Sequence, residues 1–176
     1  MVLGLLLMWL LQSPPLQAGH ASSGPNRYYT LEAVEPVLVA PVLELADPDG
    51  VVHRLADYRN RVVVINFWST WCAPCRREMP SLEKAWQRLE PAGVVVLGVS
   101  IQDDPAMIRR FLQESRVSFP ILLDRDGKVS QQWPFSGIPA TFVLDRKGRI
   151  AYRAMGLREW DSEKIIRRIT ALTGDG

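Results

Sequence analysis

Apolar residues cluster along the chain in two distinct periods. Val62-Val63-Val64-Ile65-Asn66-Phe67 is an almost unbroken β-branched run, which marks a strand buried on both faces and hence a mostly parallel sheet. Val94 to Val99 repeats the pattern. Between these runs, Cys75, Met79, Leu82, Trp86 and Leu89 recur at helical spacing, with Arg76, Arg77, Glu83, Lys84 and Arg88 interleaved. The spacing predicts a helix over 73–90, bent near Pro80, whose missing N–H breaks one rung of the ladder. Pro105 opens a second helix with an apolar face of Ile108, Phe111 and Leu112. Ile121-Leu122-Leu123, Thr141 to Leu144 and Ile150 to Ala154 read as further strands, with Asp126-Gly127 and Lys147-Gly148 as turns. A last helix carries Ile165, Ile169 and Leu172 on its inner face. Upstream, Pro41 to Leu45, Asp49-Gly50 and Val51 to Leu55 read as an N-terminal β-hairpin. Together these predict an α/β domain with a mixed central sheet and helices on both faces.

The first residues follow a different pattern. From Val2 to Leu11 every residue is apolar or Gly; Ser13-Pro14-Pro15 and the small-x-small triplet Gly19-His20-Ala21 follow. Residues 1–21 are read as a secretion signal, or as a short N-terminal anchor. A full membrane span is not expected, since ten helical residues reach only about 15 Å against a hydrocarbon core of about 30 Å. Ser22, Ser23, Gly24, Pro25 and Pro36 make 22–36 a linker, leaving 37–174 as the domain.

Composition narrows the function. The 176 residues are 47% hydrophobic and 23% charged, ordinary for one globular domain. Basic and acidic residues nearly balance, for a net charge of +2, so no field favours a nucleic-acid partner. The only two cysteines, Cys72 and Cys75, close no long loop, so a bond between them is chemistry rather than a staple.

Their setting is Trp71-Cys72-Ala73-Pro74-Cys75, directly after the first buried strand and opening the long helix. At a helix start, unpaired N–H groups and the positive dipole end favour a thiolate, so Cys72 is expected to be nucleophilic near neutral pH. Pro74 suits that position. Cys75, one turn deeper, can close on Cys72 and resolve a mixed disulfide. Zinc would need four ligands, and besides the cysteines only the distant His20 and His53 are at hand; no metal and no cofactor are expected. Trp71 is expected to frame the site. Glu78 shares the helix face of Cys75 and could hold its proton, or could be an ordinary solvated glutamate.

The segment Val64-Ile65-Asn66-Phe67-Trp68-Ser69-Thr70-Trp71-Cys72-Ala73-Pro74-Cys75-Arg76-Arg77-Glu78-Met79-Pro80 resembles the active-site segment of TlpA/ResA-like proteins, the exported branch of the thioredoxin superfamily. The likeness continues through Phe119 to Asp124 and Gly137-Ile138-Pro139-Ala140-Thr141, covering roughly 37–172. It implies a thioredoxin-like fold with a strand-helix insertion, which 105–124 could supply. It implies a periplasmic or envelope-facing dithiol, kept reduced by a membrane thiol-disulfide electron donor, that reduces disulfides in client proteins such as apocytochromes c. It also implies a cis Pro139 facing the dithiol, with the backbone of Ile138 pairing with substrate, and a thiol-tuning role for Glu78. Two positions depart from relatives. Asn66 replaces the buried aspartate of ordinary thioredoxin and cannot act as a base, and Ala140-Thr141 stand where members dedicated to cytochrome c maturation tend to have an acid. Other chemistries remain open on the residues alone: a peroxiredoxin-like thiol peroxidase, which the CxxC spacing disfavours; a disulfide donor or isomerase; a Sco-like copper carrier; or a binding module using the fold as scaffold.

Overall fold

Strand β4 (Val63–Trp68), formed by the β-branched run, is buried along its whole length and lies inside a six-stranded sheet in a computed structural model that describes residues 25–174. The expected signal at 1–21 lies outside the described residues. In chain order the other elements are β1 (Glu32–Val39), β2 (Glu44–Ala46), β3 (Val52–Arg54), α1 (Ala73–Leu89), β5 (Val95–Ile101), α2 (Pro105–Glu114), β6 (Ile121–Asp124), β7 (Ala140–Leu144), β8 (Arg149–Met155) and α3 (Glu163–Thr170). The sheet order is β1-β8-β7-β4-β5-β6. β4, β5 and β6 run parallel; β7 is antiparallel to β4, β8 to β7 and β1 to β8.

This topology decides what covers each face. The steps β4 to β5 to β6 go the same way across the sheet, so two right-handed crossovers place α1 and α2 on one side. Met79, Leu82, Ala85 and Leu89 of α1, Ile108 of α2 and Ile165, Ile166 and Ile169 of α3 form one core there with Val64, Trp68 and Val96 of the sheet. The return from β6 to β7 crosses the opposite face, where Trp133 and Phe135 pack on Phe67 and Phe142. Helices on both faces are therefore realised unequally: the second face carries short 3₁₀ turns at Leu55–Tyr58 and Ser130–Gln132 and the hairpin, in place of α-helices.

The hairpin forms as expected, as a separate pair of β2 with β3. Asp47 Oδ1 accepts from the N–H groups of Asp49 and Val51, and Gly50 turns the chain with φ +86°. The insertion is α2 and β6, with β6 at one sheet edge. One expectation shifts. Ordered structure reaches back into the stretch read as linker, because β1 begins at Glu32; Pro36 is tolerated where the register slips between Ala33 and Leu38 on this edge strand. Helix α1 spans Ala73–Leu89 with the exposed Pro80 inside it, close to the range expected.

Candidate active site

Cys72 is the N-cap of α1, and its sulfur accepts from the Cys75 N–H at 3.3 Å. Pro74 occupies the first turn, where its missing N–H leaves no rung unmade. The two sulfurs are joined, with Cα atoms 5.3 Å apart. Cys72 is 5% exposed and Cys75 wholly buried, so of the pair only the N-cap residue keeps any exposure to solvent. Trp71 stands 67% exposed beside it.

The Ile138-Pro139 peptide is cis. Ala140 pairs with Phe67 near the end of β4, so Pro139 lies at the sheet end from which the CxxC emerges. The Pro139 carbonyl accepts from Gly156 N–H at 2.7 Å, and Ile138 packs against both cores. Five of the residues expected from the sequence are thus gathered at this end: Cys72, Cys75, Pro74, Trp71 and Pro139, with Ile138 next to them in the chain.

Glu78 is not a solvated glutamate. It is 1% exposed, its Oε1 accepting from Asn66 Nδ2 at 2.8 Å and its Oε2 from the Arg158 N–H at 3.0 Å. Burial pushes its carboxyl up to about 7 from an ordinary 4.5, against the pull of the Arg158 N–H and Asn66. Asn66 Nδ2 also donates to Thr141 Oγ1 at 2.9 Å, which explains both departures noted in the sequence. Where ordinary thioredoxin has a buried aspartate, this chain places an amide that bridges the helix acid to β7. The Arg158 that supplies the second donor is itself buried, its guanidinium donating to the carbonyls of Thr30, Met155, Gly156 and Leu157.

One residue escaped the sequence reading. Asp103 follows β5 and is 8% exposed. Its Oδ1 accepts from the hydroxyls of Ser69 at 2.9 Å and Thr70 at 2.5 Å, and its Oδ2 from Thr70 N–H at 2.9 Å and the Ser100 hydroxyl at 2.6 Å. The carboxylate thereby pins the turn that delivers Trp71 and Cys72. Asp103→Ala strands four buried donors and is expected to lower stability by about 3 kcal/mol. Asp103→Asn should cost less, because the hydroxyls of Ser69 and Thr70 can rotate to accept from an amide NH₂ while Thr70 N–H keeps its oxygen. Urea unfolding of the oxidised variants reads the order; equal losses would show that the oxygen pattern is not what holds the turn.

Comparison with known proteins agrees with this geometry. Residues 38–153 match the model of the AhpC/TSA family. The chain is 36% identical over 125 residues to the thiol-disulfide oxidoreductase ResA of Geobacillus thermodenitrificans, covering 71% of this chain and 72% of that protein. The crystal structure of a Chlorobium tepidum protein assigned as the thiol:disulfide interchange protein DsbE superposes with a TM-score of 0.73 at 27% identity, over 82% of this chain and all of the other. A Neisseria meningitidis protein assigned as a thioredoxin superposes at 0.67 with 28% identity, over 76% of this chain and 88% of its own. A helix-capping Cys72 bonded to Cys75, a cis-proline at the same sheet end and these likenesses together place the chain in the AhpC/TSA family, among its ResA-like thiol-disulfide oxidoreductases.

Proposed function

We propose that the protein reduces disulfides in exported client proteins. The observation that carries this is the asymmetry of the pair: Cys72 caps the helix and is reachable, while Cys75 is buried one turn deeper. The Cys72 thiolate attacks a client disulfide, forming a mixed disulfide and releasing one client thiolate. Cys75, giving its proton to Glu78 on the same helix face, then attacks Cys72 Sγ. The second client thiolate leaves, and the protein keeps the Cys72–Cys75 disulfide. Two electrons have passed to the client, and a membrane thiol-disulfide donor restores the dithiol. Trp71, Ile138 and Pro139 border the client segment, Ile138 through its backbone.

Export rests on the apolar run Val2 to Leu11 with Gly19-His20-Ala21 after it. Among the described residues no helix is long and apolar enough to cross a membrane. Apocytochromes c are one client class, to be tested against others. The direction is read by equilibrating the Cys72/Cys75 pair in a dithiothreitol or glutathione buffer and following Trp68 and Trp71 fluorescence. The expected potential is more negative than about −230 mV; a value near those of oxidising foldases, about −120 to −180 mV, would make the protein a disulfide donor or isomerase.

A further inference from the structure

Beside the dithiol, α1 and α2 leave a groove between them. One part, about 340 Å³, runs from Thr70 to Ser115; it continues into another of about 430 Å³ that reaches Lys84 and Arg116. The two share Arg76, Phe111, Glu114 and Ser115. Met79, Pro80, Phe111 and Val117 give the deeper part an apolar floor. Pro80 cannot donate to the Arg76 carbonyl, so the helix wall offers a backbone acceptor that an ordinary helix would have used.

The charges along the groove are unequally spent. Glu83 is buried and occupied by Ser118 N–H, the Ser118 hydroxyl and Gln87. Glu114 is paired with Arg110 at 2.8 Å. Lys84 reaches Asp161 at 3.7 Å. Arg76 and Arg116 are exposed, and neither has an ion pair among the described residues. Two guanidinium groups without an ion pair therefore sit along a groove that begins at Thr70, two residues before Cys72, and has an apolar floor in its deeper part.

We infer that this groove receives the client polypeptide flanking the target cysteine, and that it selects an extended segment with acidic residues and an apolar side chain between them. The inference rests on the dithiol exchange proposed above and adds to it the substrate class. From Cys72 to Glu83, whose carboxylate holds Ser118 close to Arg116 in the chain, α1 rises about 16 Å. An extended strand covers that in about five residues. The acid facing Arg116 accordingly belongs about five positions from the client cysteine, and a second faces Arg76 close to it.

The test uses the full, reduced protein and two disulfide-bonded peptides, identical except for Glu or Lys five positions from the cysteine. Stopped-flow tryptophan fluorescence gives the second-order rate constant of each, and the small neutral hydroxyethyl disulfide reports the dithiol without the groove. The Glu peptide is expected to react about fivefold faster than the Lys peptide at low salt, the gap closing at high salt. Arg116→Glu, remote from both cysteines, should invert the preference and leave the hydroxyethyl disulfide rate unchanged. Equal rates for the two peptides, or a ratio indifferent to Arg116→Glu, would overturn the groove while the oxidoreductase reading stood. Inertness toward hydroxyethyl disulfide as well would overturn both.

Discussion

Cys72→Ser is expected to lower insulin disulfide reduction more than about a hundredfold, to the level set by the thiols of the assay buffer. The hydroxyl that replaces the sulfur is not ionised at neutral pH and cannot be made a competent nucleophile by the helix end that serves a thiolate. Cys75→Ser should behave differently. Its Cys72 remains at the helix N-cap, attacks the client and then finds no resolving thiol, so a covalent adduct cleavable by dithiothreitol should accumulate. Non-reducing gels and intact-mass measurement separate the two outcomes. An adduct that builds up with Cys72→Ser and not with Cys75→Ser would reverse the assigned roles.

The second large effect concerns Glu78 and is one of stability. Its carboxyl titrates at about 7 in the folded protein and at 4.5 as an ordinary glutamate. Between those values the folded state holds a proton that the unfolded chain has released, so stability falls as pH rises across the window. The contribution is fully present below pH 4.5 and gone above about 7, and a shift of this size corresponds to about 3 kcal/mol. Glu78→Gln cannot titrate. The difference in unfolding free energy between the oxidised wild type and this variant should therefore change by about 3 kcal/mol between pH 4.5 and 8, the wild type losing ground as pH rises. Parallel stability curves in urea titrations across that range would show that the carboxyl is ionised throughout, and would remove it as the acceptor of the Cys75 proton.

How far the sequence could be read depended on whether a residue's role left a periodic trace. β4 and β5 were legible because both their faces are buried, which forces continuous apolar runs. α1 was legible because its inner face repeats at helical spacing. The CxxC was legible because residue type, spacing and position after a strand coincide. β1 was obscured by Pro36, a breaker that an edge strand can host at an irregular register. Asp103 was obscured by its neighbour: Asp103-Asp104-Pro105 looks like a helix start, and Asp104 is indeed the cap, accepting from Ala106 N–H at 2.7 Å. Asp103 itself carries no such local mark: besides Ser100, its partners Ser69 and Thr70 lie about thirty residues upstream. Glu78 was ambiguous because its donors are brought to it by the fold: Asn66 from the neighbouring strand β4, and the Arg158 N–H from eighty residues on.

The direction of β1 has a consequence for how the protein is held. β1 is antiparallel to β8, and its first residue, Glu32, pairs with Arg153 toward the sheet end where β4 gives way to the CxxC. Arg27 and Tyr28, just before it, bond to Met155 and Glu159 at that same end. The polypeptide thus enters the domain on its reactive side. Any tether drawn through the residues before Glu32 keeps Cys72 near the point of attachment, so a bilayer-bound form would scan the layer of solvent next to the lipid and leave the far side of the domain facing outward.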